Sequence, residues 1–394
     1  MRRRDFIKQS ALASAGLLLP SFLRASGSLL PLNNKRRLVV VQLGGGNDWL
    51  NTIIPYKNEL YYKLRKKISI PQDKIIPLAN DLALHPSLKA LHAIFKENEM
   101  SIINNVGYPD PDRSHFRSMD IWHTASSGNE YLNHGWIGRF LDNECTNAYE
   151  AIEADNELAL ALRGEKMSGI AVKNLNFLYK ELQQPFYSDL VAASQAQLQT
   201  GNNQDYLYEL LRQTSTGINY VFEKNKLVSN NKEYPKNGFS HQLKNIASLI
   251  AAESTTKVYY ISLNGFDTHV NQAQRHEKLL NTYAEGLSTF IANLKELGKW
   301  DDTLIMTFSE FGRRVEENAS AGTDHGTAGN ILLFGKNLKK KGIINELPDL
   351  SNLDDGDLKY SVDFRSVYKD ILGNWMGADA ERIIPANVKR MEIV

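Results

Sequence analysis

Acidic residues and histidines recur in four short segments whose side chains suit metal ligation: Gly44-Gly45-Gly46-Asn47-Asp48, Asp267-Thr268-His269, Ser309-Glu310, and Asp324-His325. Carboxylate and imidazole together suit zinc, manganese or iron, whereas carboxylates alone suit magnesium or calcium. A ligand set drawn from distant loops is the normal pattern of a catalytic metal. Each segment alone is weak evidence, because a glycine run after a strand is often a tight turn and Asp-x-His arises by chance. A fifth segment, Arg113-Ser114-His115, places a hydroxyl and an imidazole where a helix is expected to begin, near Ser114. A hydroxyl at a helix amino terminus lies where an anion is favoured, and a nearby metal or imidazole activates it as a nucleophile. The competing reading of Ser114 is a plain N-cap. Arg113 or Arg117 then clamps an oxyanion or is merely solvated, and of His115 and His123, eight apart on one helical face, one reaches the site while the other packs.

These segments need a scaffold that brings distant loops to one place. Arg37 to Leu43 is a continuous β-branched run ending in the glycine turn, which reads as a buried strand of a parallel sheet. A helix from Pro86 to about Asn98 precedes a strand at Ser101–Val106. Lys257–Leu263 reads as the next strand, followed by a helix from about Gln274 to Leu297 with apolar residues at three- and four-residue spacing. Thr303–Phe308 and Ile331–Phe334 complete the strands. The expected fold is therefore α/β: a mostly parallel central sheet with helices on both faces. Residues from about 126 to 241, rich in Gln, Asn, Leu and Tyr, read as a helical insertion or cap, with strand-like pieces only at Leu158–Leu162 and Ile170–Val172. In such sheets ligands bind beyond the carboxyl ends of the strands, where the acids and histidines lie.

Bulk properties narrow the classes. The chain has 394 residues, 42% of them hydrophobic, and a formal net charge of +1. The first 26 residues carry Arg2, Arg3, Arg4, Lys8 and Arg24 against Asp5, so the remainder is near −3. Nucleic-acid binding is not favoured by that balance. The single cysteine, Cys145, forms no internal disulfide or multi-thiolate site and reads as a small core residue. Arg3-Arg4 followed by Asp5, Phe6-Ile7 and Lys8 resembles a twin-arginine (Tat) signal, and the apolar run Ala11–Leu23, about 13 residues, is signal-peptide length and too short to span a bilayer. The expectation is a Tat signal over residues 1–27, cleaved between Ala25 and Ser28, with the Tat translocase as partner, a periplasmic or envelope location, no integral membrane segment in the mature protein, and one domain over residues 28–394.

The segments Leu43-Gly44-Gly45-Gly46-Asn47-Asp48, Leu84-His85-Pro86-Ser87-Leu88, Arg113-Ser114-His115-Phe116, Gly265-Phe266-Asp267-Thr268-His269, Ser309-Glu310-Phe311-Gly312-Arg313 and Gly322-Thr323-Asp324-His325-Gly326 resemble, in this order, those of the DUF1501 family. That resemblance implies a Tat-exported member of the alkaline phosphatase and sulfatase superfamily. It implies Asp48, Ser114, Asp267 with His269, and His325 in the superfamily's metal and nucleophile positions. One position departs. Where phosphatases would read Ser-Asp-His-Gly this chain has Ser309-Glu310-Phe311-Gly312, so Glu310 replaces an oxygen ligand while Phe311 replaces an imidazole. A second metal position is then short of a ligand unless Asp324 or His115 supplies it.

The expectation is thus a hydrolase of phosphate or sulfate esters, small-molecule or glycan, using one or two divalent metals, zinc or manganese. Ser114, His115 and Arg113 are its candidate catalytic residues; Asp48, Asp267, His269, Glu310, Asp324 and His325 are its candidate ligands. The alternative is a catalytically inactive binding or assembly module of the envelope on the same fold. A redox enzyme ranks last, since no cysteine cluster, haem motif or dinucleotide fingerprint is present. His85 reads as shaping a helix entry, Asp363 with Arg365 as a structural ion pair, and His134 as a pocket-lining residue.

Overall fold

The central strand, Arg37–Gly44, is buried at every position, as a strand covered on both faces must be. It belongs to a computed structural model that describes residues 35–196 and 203–394; the expected signal, residues 1–27, lies outside the described residues. The strands are β1 (Arg37–Gly44), β2 (Ile53–Ile54), β3 (Ile76–Pro77), β4 (Ala83–Leu84), β5 (Met100–Gly107) and β6 (Ala151–Glu153). They continue with β7 (Ile170–Ala171), β8 (Val258–Asn264), β9 (Thr303–Phe308), β10 (Gly329–Phe334), β11 (Gly342–Ile343) and β12 (Val362–Asp363). The helices are α1 (Trp49–Thr52), α2 (Glu59–Leu64), α3 (Lys89–Lys96), α4 (His115–Thr124), α5 (Trp136–Glu144) and α6 (Leu175–Leu182). After these come α7 (Pro185–Ala196), α8 (Asn203–Lys226), α9 (Gly238–Ala251), α10 (Gln272–Glu296) and α11 (Phe364–Asp370).

Nine strands form one sheet in the order β11-β5-β10-β9-β1-β8-β6-β7, with β12 also on β5. Every pairing in it is parallel except those of β10 with β5 and β9. That reversal has a functional consequence. The segment between β9 and β10 leaves and re-enters at the same edge, so residues 309–328 stay beside the carboxyl ends of β1, β5 and β8. Side chains of β1 alternate between two cores, Val39, Val41 and Leu43 on one face and Leu38 and Val40 on the other. Leu91 of α3, Ile246 of α9 and Leu287 of α10 fill the first core; Ile121 of α4, Ile137 of α5 and Val367 of α11 fill the second. The α/β class with both faces covered is the observed architecture.

Within residues 126–241 the helices α6, α7 and α8 are present, yet β6 and β7 extend the sheet beyond β8. Leu160–Leu162 is a single 3-10 turn where an extended piece was expected, because Ala161 and Leu162 turn into the second core rather than pairing along a ladder. Cys145 packs against the same core, and burial pushes its thiol up to about 12. Residues Arg36–Val394 cluster as one unit. No helix among the described residues is long and apolar enough to cross a membrane.

Candidate metal centre

Three loops meet beyond the carboxyl ends of β1, β8 and β9. Gly45 and Gly46 take φ of +115° and +69°, and a Cβ on Gly45 would stand 2.4 Å from the Asp267 amide nitrogen. Only glycine lets the first loop pass that close to the second. Arg313 ties the three together. Its side chain is wholly buried and donates to the carbonyls of Gly45, Gly46, Phe266 and Thr323 and, at 2.7 Å, to Asp267 Oδ1.

Around Asp267 Oδ1 stand three imidazole nitrogens: His269 Nε2 at 2.9 Å, His325 Nε2 at 3.4 Å and His115 Nε2 at 3.5 Å. His269 Nε2 and His325 Nε2 are 3.0 Å apart. Each ring is fixed from behind. His115 Nδ1 faces Glu310 Oε1 at 2.8 Å, His269 Nδ1 faces Asp324 Oδ1 at 3.0 Å, and His325 Nδ1 faces the Arg113 carbonyl at 2.7 Å. All three partners are acceptors; a neutral ring that donates to its partner from Nδ1 turns its Nε2 lone pair inward, the arrangement found in metal-ligating histidines. Facing lone pairs 3.0 Å apart repel unless a proton or cation lies between them. His115 Nε2 is moreover buried and makes no hydrogen bond. Donors about 2.0–2.1 Å from one zinc stand about 3.3 Å apart in a tetrahedron, near the 2.9, 3.4 and 3.5 Å that separate Asp267 Oδ1 from the three nitrogens. Donor atoms of His115, Asp267 and His325 lie within 4.8 Å of one another, a set of the size and chemistry that could hold a metal ion, and His269 Nε2 stands at its edge, 2.9 Å from Asp267 Oδ1 and 3.0 Å from His325 Nε2.

The electrostatics of the ligands have named causes. Burial pushes the Asp267 carboxyl up, but the hydrogen bond and charge of Arg313, with His269 and His115, outweigh it and hold it at about 2. The hydrogen bond to Glu310 raises His115 against the opposing effect of burial, while burial lowers His325. Burial pushes Glu310 up, but its bonds from His115 and the Gly45 amide leave it below the ordinary carboxylate value.

Several expected site residues stand elsewhere. Asp48 is fully buried and paired with Arg65 at 2.6 Å, and Gln272 Nε2 takes its Oδ2 at 2.5 Å; with both oxygens occupied by these donors, it is not among the converging ligands. Glu310 and Asp324 sit behind His115 and His269 rather than beside Asp267, as partners of the ligands. His115, expected as a catalytic residue, joins the converging nitrogens. Phe311 lies 4.8 Å from the His115 and His325 ring centroids and walls both. Ser114 is the exposed N-cap of α4, its side chain makes no capping bond, and it lies between Arg113, whose carbonyl holds His325, and His115. Arg113 is engaged by Asp357 Oδ2, 2.8 Å from its Nε, and Arg117 by the carbonyls of Gly128 and Glu130. His123 packs against Gln42 and Tyr260, and burial lowers it to about 4. His85 accepts the Ser87 amide at the entry to its turn, and Asp363 pairs with Arg365. His134 gives its carbonyl to Arg139. Sequence reasoning missed Arg313, Arg65 and Gln272; Arg313 lay in view within Ser309-Glu310-Phe311-Gly312-Arg313.

Fold and centre together define an α/β protein with a candidate three-histidine, one-aspartate site at the carboxyl edge of its sheet. Residues 100–388 match the model of a family described as "Protein of unknown function (DUF1501)", and the chain belongs to that family. No curated protein matches it. Among solved structures it is similar to the zinc complex of the C-terminal periplasmic domain of EcEptC from Escherichia coli, at 12% identity over 77% of this chain and 74% of that one, with a TM-score of 0.39. It is likewise similar to the lipoteichoic acid synthase LtaP from Listeria monocytogenes, at 11% identity over 79% and 68% of the two chains, with a TM-score of 0.37. A protein described as in the alkaline phosphatase superfamily, from Vibrio parahaemolyticus, is 10% identical over 79% and 63%, with a TM-score of 0.35.

Proposed function

We propose that the protein is an exported, metal-dependent hydrolase of phosphate or sulfate esters, small-molecule or glycan, that uses Ser114 as nucleophile. The observation that carries this is the convergence of three imidazole Nε2 atoms on Asp267 Oδ1, one of them from His115, the residue that follows Ser114 at the start of α4. A zinc or manganese ion bound there supplies a Lewis acid that offsets charge on the transferring oxyanion. The chain's own part is orientation. Glu310, Asp324 and the Arg113 carbonyl lock the three rings, and the His325 bond to Arg113 holds the backbone next to Ser114. Transfer to Ser114 would form a bond from its Oγ to phosphorus or sulfur and break the ester bond, with the leaving oxygen taking a proton; water would then release Ser114. Export by the Tat translocase to the periplasm is supported by the amino-terminal motif Arg3-Arg4-Asp5-Phe6-Ile7-Lys8.

One observation favours the second reading, an inactive envelope binding module. The Arg313 guanidinium stands 2.7 Å from Asp267 Oδ1 and 3.4 Å from His269 Nε2, a fixed positive charge where an ion would sit close by. Elemental analysis of the mature protein, purified without chelator after native export, decides between them. About one equivalent of transition metal, lost in His269→Ala, together with ester turnover lost in Ser114→Ala, supports the hydrolase. Metal absent from both proteins moves the assignment to the binding module.

A further inference from the structure

Asp355 and Gly356 are the central residues of a tight turn. Asp354 and Asp357 exchange backbone hydrogen bonds of 2.9 Å, and the two residues between them take φ of +49° and +84°, as in a type I′ turn. The turn presents the Asp355 carboxylate, 77% exposed, to two guanidiniums at once: its Oδ2 lies 3.4 Å from Arg113 Nη2 and 3.3 Å from Arg314 Nη2. Exposed contacts of that length contribute little to stability, so they do not explain the convergence energetically. Both arginines also face a second carboxylate, that of Asp357. The buried Asp357 accepts from Arg113 Nε, and its Oδ1, buried without a hydrogen bond, stands 3.8 Å from Arg314 Nε. Both also border the candidate centre. Arg113 precedes Ser114 and gives its carbonyl to His325, and the Arg314 amide donates to the Asp324 carbonyl.

Two forked donors aimed at one carboxylate oxygen make a place for a tetrahedral or planar anion. We propose that Arg113 and Arg314 form an anion subsite beside Ser114, that Asp355 is its internal occupant, and that the ester handled at the centre carries a second anionic group that displaces Asp355. The substrate half of this rests on the hydrolase reading; the subsite itself does not.

Calorimetric titration of inorganic phosphate into the full mature chain tests the subsite without turnover. Asp355→Asn removes the internal competitor and is expected to bind phosphate about tenfold more tightly than the parent. Adding Arg314→Gln to it is expected to cancel that gain. An unchanged affinity in Asp355→Asn, or a gain that survives Arg314→Gln and so belongs to the metal centre, overturns the subsite. The substrate half is read from KM for an ester bearing a second phosphate relative to KM for a monophosphate ester. That ratio is expected to fall about tenfold in Asp355→Asn and to rise in Arg314→Gln. A ratio equal in all three proteins overturns the substrate assignment while leaving the hydrolase reading standing, and absence of any ester turnover sinks the hydrolase reading while the phosphate titration still stands or falls by itself.

Discussion

Asp48→Asn separates a structural carboxylate from a metal ligand. The sequence places Asp48 among the ligands, whereas the structure pairs it with Arg65, both side chains wholly buried, and adds Gln272 as a second donor. Arg65 in turn donates to the carbonyls of Val315 and Arg314, so it cannot follow a lost partner to solvent without breaking those bonds. Neutralising one member of such a pair leaves the other charge buried, at a cost of about 3–5 kcal/mol. About 360 residues at ~2.1 cal/mol/K each give an unfolding entropy of ~0.75 kcal/mol/K, so the melting temperature should fall by about 4–7 °C. Metal content should stay at the parental value, because the converging donors do not include Asp48. The contrasting variant is Asp267→Asn, which should lose metal. Differential scanning calorimetry and elemental analysis on the same three preparations give the answer. Loss of metal in Asp48→Asn at an unshifted melting temperature would refute the reasoning and return Asp48 to the ligand set.

Glu310→Gln should weaken metal binding 10- to 100-fold, because a charged partner behind a ligating imidazole raises its basicity; competition with a chromophoric chelator measures this, and an unchanged affinity would deny Glu310 its supporting role. Burial pushes Glu153 up to about 8 despite the bond from the Ala159 amide. The folded state thus keeps a proton that the unfolded chain releases above about pH 4.3, and stability falls as pH rises from there to about 8. Glu153→Gln should therefore melt near the parent at pH 5 and several degrees above it at pH 9, and a gap that is constant across that range would contradict the shift. Gly45→Ala should cost about 2 kcal/mol or more, since an alanine is strained at that φ and its Cβ meets the Phe266–Asp267 backbone. It should also reduce bound metal, measured by elemental analysis, by displacing Asp267; full metal content in a destabilised variant would show that the loop contact shapes the fold alone.

How far the sequence could be read follows from what each signal depends on. β1, β8 and β9 were legible because a buried parallel strand announces itself as a local apolar run, and α10 because its apolar spacing has the helical period. β7 falls within the strand-like piece expected at Ile170–Val172, but β6 was hidden by its length: three residues carry no periodicity, and its place in the sheet is set by β8 beside it. The meeting of Asp267, His269 and His325 could be anticipated, since strand ends in an α/β sheet collect at one edge. Which acids converge with the imidazoles and which stand behind them could not, because Asp48, Glu310 and Asp324 are alike in sequence and differ only in their partners, Arg65, His115 and His269. The Asp48–Arg65 pair is invisible in the sequence because Arg65 stands 17 positions away in an unremarkable lysine-rich stretch and reaches Asp48 only through the tertiary fold. Arg313 shows the converse. An arginine in a loop is ordinarily solvated, so its type and place suggest no role; four backbone carbonyls and Asp267 Oδ1 make it instead the fixed charge around which the site is built. Among the described residues one cluster of metal-ligand size, His115, Asp267 and His325, stands beside this permanent cation. Phe311, which stands where the resembled pattern has an imidazole, is in three dimensions an aromatic wall against the His115 and His325 rings.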